Sequence, residues 1–364
     1  MIYLLIYFIF IPILFILSPF RSKKKQKLVI QTAKIGDYAN SSIIFDIVKN
    51  FDIVIDSVNI DFANFDCRIN NKFEINTIKN NFLKKIRLAF RLYFNGYSDV
   101  YVMMPNSLNL FLAQFSFAKN IKTIEHEFCS LTFKLLSFNM QKIRHDTSIL
   151  TLISYLRMAD QNIQHDFNHT LKLRHINLKF KKRIQDPLFV PKQPKINCSE
   201  KFKVGISLTA RNKIKTPPST TWNKIFKILN QFDVEVYIFG IKNEDSLLRD
   251  IDTQNVKIIS MVDKLELKEL PYHISKMDLY ISADTGNYYI ADSVSTPTIC
   301  MMGPCFASEQ RGVFNSLVIQ SNLEPISSVF HTIREIDASR YFELNNKDEE
   351  NIIDFIQSID KHYC

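Results

Sequence analysis

Residues 281–304 read ISADTGNYYIADSVSTPTICMMGP. An apolar run ends at Ser282, and a turn follows at Asp284, Thr285 and Gly286. Helical spacing resumes over 287–294, and a second apolar run occupies 297–302. A strand, turn, helix and strand in such short compass belong to a parallel, doubly wound α/β sheet. The turn sets backbone N–H groups and the Thr285 hydroxyl at a helix N-terminus, an arrangement that binds phosphate.

The same alternation extends outward. Strand 203–208 leads into Thr209–Lys215 (TARNKIK), a loop with three cations ahead of Pro217 and Pro218. A helix over 221–231, a strand over 234–239, a helix over 243–251, a strand over 256–260 and a helix over 268–276 follow, ahead of strand 278–282. On the N-terminal side, LVIQ (28–31) precedes a loop at Ala33–Asp37. Helical spacing follows, with Ile43, Ile44, Ile47 and Val48 on one face, and then strand 52–55. An amphipathic basic helix over 78–95 should end at Gly96. Strand 99–104, helix 107–118, strand 121–124 and helix 148–163 complete this half. Residues 179–201 carry three prolines and a run of cations without periodicity, which marks a linker. The expected architecture is two doubly wound parallel-sheet domains facing across a cleft, with ligands beyond the carboxyl ends of the strands.

The 364 residues are 46% hydrophobic and 23% charged, which excludes wholesale disorder. The net charge of +9 is uneven. Residues 1–200 hold 28 cations against 15 anions, and residues 201–364 hold 18 against 22. Six scattered cysteines form no CxxC pair, so neither a disulfide scaffold nor a zinc ribbon is expected. His165 and His169 are spaced like ligands but lack the HExxH glutamate, and no metal or other cofactor is expected. The modest positive charge, with no recognition motif, argues against a nucleic-acid partner.

Residues 1–17 (MIYLLIYFIFIPILFIL) are uncharged, and Arg21, Lys23, Lys24, Lys25 and Lys27 follow at once. With Ser18–Phe20 the stretch matches one hydrocarbon thickness. It either spans a membrane or lies on it, and the cationic flank keeps the rest of the chain cytoplasmic. No basic residue precedes the stretch, so a cleavable signal fits poorly.

Three segments carry chemistry. Asp284, Thr285 and Gly286 suit a diphosphate. Lys213 or Lys215 suits neutralisation of a diphosphate leaving group. Asp37 is either a general base or the cap of the following helix. Glu244 is either a ligand contact or a first-turn helix acid, and Tyr289 either packs in the core or contacts ligand.

These segments, in this order and at these distances, resemble glycosyltransferase family 9, the lipopolysaccharide heptosyltransferase-like enzymes of the GT-B fold. Residues 28–43 (LVIQTAKIGDYANSSI) are similar to the family's opening strand and IGD loop. Val204–Trp222 resembles the first strand and cationic loop of its second domain, Phe239–Glu244 (FGIKNE) its glycine-then-glutamate loop, and Asp284–Pro304 its DTGxxH block. His145 falls where the family has a histidine-led helix. The resemblance covers most of residues 28–320. It implies Asp37 as the base in an inverting attack and Thr209 with Lys213 or Lys215 as donor-diphosphate ligands. It places Glu244 near the donor nucleoside and Asp284, Thr285 and Gly286 at the pyrophosphate. Tyr289 stands where the family has His, Thr221 rather than Lys precedes Trp222, and Thr296 rather than Gly precedes Pro297. These departures leave a non-catalytic saccharide- or nucleotide-binding relative as the alternative.

The implied organisation is an anchor and basic flank (1–27), an acceptor domain (28–190), a nucleotide-sugar domain (191–345) and a C-terminal helix crossing back (346–364). The implied partners are a nucleotide-sugar donor, a lipid-linked or lipopolysaccharide acceptor and the inner membrane, at whose cytoplasmic face the chain would work.

Overall fold

The computed structural model describes residues 2–23, 26–162, 187–196 and 201–360. The chain divides into two compact units, Met1–Asp146 with Thr151–His165, and Thr147–Leu150 with Asp166–Cys364. His165, His169, Lys24, Lys25 and most of the expected linker lie outside the described residues. Of that linker, 187–196 is described, and there Lys195 forms a 2.9 Å ion pair with Glu269.

The first unit holds six strands: β1 (Gln26–Gln31), β2 (Phe51–Ile55), β3 (Ile69–Glu74), β4 (Tyr97–Val102), β5 (Asn120–His126) and β6 (Gln141–His145), in the order β3-β2-β1-β4-β5-β6. The second holds β7 (Phe202–Ser207), β8 (Val234–Ile238), β9 (Lys257–Ser260), β10 (Leu279–Ala283), β11 (Thr298–Met301) and β12 (Ser316–Ile319), in the order β12-β11-β10-β7-β8-β9. Every pairing is parallel. Each sheet therefore starts at its centre, winds one way for three strands and then reverses beside its first strand. The reversal points, β1/β4 and β7/β10, are where such sheets open a crevice for ligands.

Sequence chemistry explains the centre of each sheet. Leu28, Val29 and Ile30 of β1, all of β2, and all of β8 and β10 are buried, as helices on both faces of a parallel sheet require. The second core gathers around Trp222, Phe226, Ile238, Ile281 and Phe355. The C-terminal helix Asn346–Asp360 places Ile352, Phe355, Ile356 and Ile359 in this second core, and Glu349 pairs with Lys224 at 3.0 Å.

Two local expectations are corrected. The helix expected after a loop at Ala33–Asp37 begins at Ile35 instead, and is broken into Ile35–Ser41, a tight turn at Ser42–Ile44 and Phe45–Val48. Asp37 thus lies in a helical first turn, not in a loop. The cause is Gln31, whose side-chain oxygen accepts from the Ala33 amide at 3.0 Å while its NH2 donates to the Asp37 carbonyl at 3.2 Å, pulling the chain into a helix directly after β1. Three edge strands, β3, β6 and β12, are additions to the expected set; INNKFE and QKIRH lack the apolar run of a central strand, whereas SLVI is short but apolar.

Candidate active site

The loops 208–216 and 284–286 leave the carboxyl ends of neighbouring β7 and β10, at the reversal point of the second sheet. Lys213–Lys215 forms a single 3-10 turn that buries Ile214, so the two lysines diverge. Lys213 is exposed, whereas Lys215 turns inward and its ammonium meets the Asp284 carboxylate at 2.5 Å. The Asp284 side chain is 3% exposed and that of Lys215 18%. Tyr289, one turn into the helix Gly286–Ser293, donates its hydroxyl to the other Asp284 oxygen at 2.7 Å. Burial alone would push the Asp284 carboxyl up. The Lys215 charge, with hydrogen bonds from Lys215, Tyr289 and Cys305, instead holds it below the usual carboxylate range.

Thr285 caps that helix, its hydroxyl accepting from the Tyr288 amide at 3.4 Å, and Gly286 is the first helical residue. Both are half-buried, and they directly follow Asp284, which holds the Lys215 ammonium. The arrangement offers a cation, a helix N-terminus and hydroxyl groups, the chemistry a diphosphate needs.

Glu244 lies at the back of this loop. One carboxylate oxygen accepts from the Leu208 and Thr209 amides at 2.6 and 3.1 Å, and the other from the Thr209 hydroxyl at 2.6 Å. Gly240 leaves room for it, since a Cβ there would come within 2.5 Å of Glu244 Cγ. Glu244 and Thr209 are therefore joined, and Glu244 fixes the start of the loop that carries Lys215.

Burial, only partly offset by those hydrogen bonds, pushes the Glu244 carboxyl from 4.5 up to about 7. A raised folded-state value means that the folded protein keeps this proton over a pH range in which the unfolded chain has lost it. The stabilisation is complete below about 4.5 and is lost as pH rises through about 7, on the order of 3 kcal/mol in all. Thermal unfolding should show this loss between pH 5 and 7.5, and Glu244→Gln should flatten it. An unchanged slope in the variant would assign the effect to another group.

In the first unit, Asp37 stands in the first turn of Ile35–Ser41, beyond the end of β1. The helix cap position is Lys34, which makes no side-chain cap, so Asp37 is not the cap the sequence allowed. Its loop is held by Gln31, by Asn59 donating to the Ala33 carbonyl at 2.9 Å and by a 2.7 Å Lys34–Asp56 ion pair. His145 ends β6, with Nδ1 2.9 Å from the Ser154 hydroxyl.

A family model described as glycosyltransferase family 9 (heptosyltransferase) matches residues 95–332. The chain belongs to that family. Its fold agrees with E. coli ADP-heptose lipopolysaccharide heptosyltransferase II, at a TM-score of 0.63 and 14% identity over 92% of this chain and 98% of that one. It is also similar to a family 9 glycosyl transferase from Veillonella parvula DSM 2008 (TM-score 0.61, 14% identity, 92% and 97% covered). A third similar structure is an E. coli heptosyltransferase with ADP-2-deoxy-2-fluoro heptose (TM-score 0.61, 11% identity, 92% and 99% covered). No curated protein is significantly similar in sequence. The two doubly wound sheets are thus those of a GT-B glycosyltransferase. The matched residues include Thr209, Lys213, Lys215, Glu244, Asp284, Thr285, Gly286 and Tyr289, while Asp37 precedes them.

In this glycosyltransferase the departures from the family pattern have structural uses. Tyr289 supports Asp284, and Thr296 donates its hydroxyl to the Ile274 carbonyl at 3.0 Å. Sequence reasoning missed three residues around the site. Asn287 donates to the Ser207 hydroxyl at 3.0 Å, Ser207 lies 2.7 Å from the Tyr280 hydroxyl, and the Cys305 thiol reaches Asp284. Only Asn287, a polar residue inside the opening motif, carried any signal. Among the described residues, no group of three or more His, Cys, Asp or Glu side chains could hold a metal ion.

Proposed function

We propose that this family 9 glycosyltransferase moves a sugar, with inversion and without a metal, from a nucleotide-sugar donor to a hydroxyl of a lipid-linked or lipopolysaccharide-core saccharide. The observation that carries the donor half is the meeting of Lys215 with Asp284 beside the Thr285-capped helix. Lys215 is one of the cations the sequence places in the loop after β7, and its ammonium is held by Asp284, the residue that directly precedes the Thr285 cap. As the bond to the anomeric carbon breaks, negative charge collects on the diphosphate, and the ammonium and the helix N-terminus stabilise it where it develops. The acceptor oxygen attacks the anomeric carbon from the side opposite the departing diphosphate, which inverts that centre, and Asp37 takes the hydroxyl proton as the new bond forms.

A heptose linked to ADP is the first donor to test, because solved relatives carry ADP-heptose or its fluoro analogue. The acceptor reading rests on the family and on the basic first half of the chain, which suits an anionic saccharide at the cytoplasmic face of an inner membrane. The experiment is a thermal-shift series of nucleotide sugars on the full chain without added metal. Binding to the folded state raises the unfolding temperature by mass action. A shift with one donor, absent in Lys215→Ala after correction for that variant's own stability, supports the reading. No shift with any nucleotide or nucleotide sugar overturns it.

A further inference from the structure

The helix Ile2–Leu17, with Ser18–Phe20, is long and apolar enough to cross a membrane, yet it is fastened lengthwise to the first unit. The Tyr3 ring stacks on Phe111 at 5.1 Å, and its hydroxyl accepts from Lys85 at 3.1 Å. Phe10 packs on Phe90 and Phe115 at 5.4 and 5.7 Å. The Tyr93 hydroxyl donates to the Leu14 carbonyl. Beyond the helix, the Arg21 guanidinium donates to the carbonyls of Tyr93 and Ser116 at 3.1 and 2.9 Å. Ile6, Tyr7 and Leu14 join the core of the first unit, with Leu28, Leu92 and Phe115. A spanning helix would surrender all of these contacts and open that core to water.

The opposite face is bare. Leu5, Phe8, Ile9, Ile13, Ile16 and Phe20 are each at least 41% exposed, and a contiguous apolar face of this kind needs a cover. Beside it runs the helix Phe82–Asn95, joined to the first by the Phe10–Phe90–Phe94 chain of rings. Its outer residues include Leu83, Lys84, Arg87 and Arg91, and it contains no acidic residue. Asn81 caps its start and Gly96, in the left-handed conformation at φ 70°, its end, so the cations are presented by a rigid element. An apolar face bordered by cations on a neighbouring fixed helix is complementary to the headgroup–acyl boundary of an anionic bilayer.

We infer that the N-terminal helix lies in the membrane plane, its outer face inserted in one leaflet and its inner face docked on the first unit, with Lys84, Arg87 and Arg91 on anionic headgroups. This deepens the membrane association proposed above and rests on it. The protein then holds to one leaflet without crossing it, and its hold depends on lipid charge.

The test uses the full chain with vesicles of phosphatidylglycerol and phosphatidylethanolamine, and with phosphatidylcholine vesicles as the neutral control. Flotation should favour the anionic vesicles, and each cation removed, as in Lys84→Gln or Arg87→Gln, should weaken binding about fivefold. Leu5→Trp and Ile16→Trp, both at exposed positions, then report depth by quenching with brominated lipids. The two sites are about 16 Å apart along a helix. Equal, shallow depths support an in-plane helix. Depths differing by more than about 10 Å overturn it and establish a spanning segment, leaving membrane association intact. Absence of vesicle binding overturns both, as would a lipid-free dimer that hides both tryptophans and does not float.

Discussion

Lys215→Ala is expected to unfold at lower denaturant, with a loss of about 3–5 kcal/mol in the transition of the second unit, and to lower turnover by 10²–10³. The two losses have separate causes. The first follows from burial. Asp284 is almost sealed from water, its carboxyl is kept ionised chiefly by the Lys215 charge, and removing that charge leaves an anion in a low-dielectric site. The protein then has to tolerate the charge or protonate it, and either choice costs stability. Because the folded-state value of Asp284 is depressed, the contribution of the pair is present above the ordinary carboxylate range and is lost as pH falls through the folded value. The deficit of the variant should therefore be large at pH 7 and shrink in acid. Asp284→Asn in the Lys215→Ala background should recover part of the stability, because no anion is left unpaired, while activity stays low. Full recovery of activity in that double variant would show that Lys215 acts only as a structural partner of Asp284, and would remove it from the donor site.

What could be read from the sequence follows the physics of each element. The central strands are largely apolar because both faces are covered, so LVIQ, DIVI, VEVYI and LYISA announce themselves. The edge strands β3 and β6 are paired on one side only and are mostly polar, as INNKFE and QKIRH show, and nothing local separates them from loop. The Asp284–Gly286 turn was legible because its chemistry and its position at a strand end coincide. The choice between Lys213 and Lys215 was not, since both stand in one short loop and only the inward turn of Ile214 decides which lysine faces Asp284. Glu244 was found as a residue but not by its partners. Its hydrogen bonds run to Leu208 and Thr209, far away in sequence, and require β7 and β8 to lie side by side. Asn287 and Ser207 were missed for a related reason, since each is an ordinary polar residue until the sheet brings them to 3.0 Å.

Asp37→Asn is expected to lower kcat by 10²–10⁴ while leaving the affinity for donor and the unfolding free energy within about 0.5 kcal/mol of the parent. The substitution keeps shape and a hydrogen-bonding group but removes the capacity to take a proton. Asp37 is half-buried at the surface of a short helix, and its backbone is held by groups the substitution does not touch: Gln31 on the Asp37 carbonyl at 3.2 Å, Asn59 on the Ala33 carbonyl at 2.9 Å, and Lys34 on Asp56 at 2.7 Å. This support matters to the chemistry, because a base that must meet one hydroxyl gains its rate from being held in place before the substrate arrives. The donor groups, Thr209, Lys215, Asp284 and Thr285, all belong to the second unit, so a donor-binding isotherm measured on the variant reports whether they are intact. A fall in kcat with an unchanged isotherm, together with loss of the acidic limb of the kcat/KM profile, is the signature of a missing base. If the variant keeps more than a tenth of the parent rate, proton removal belongs to another group. Asp37 would then be retained as the first-turn carboxylate of its helix, where an anion is favoured by the helix dipole whether or not it reacts.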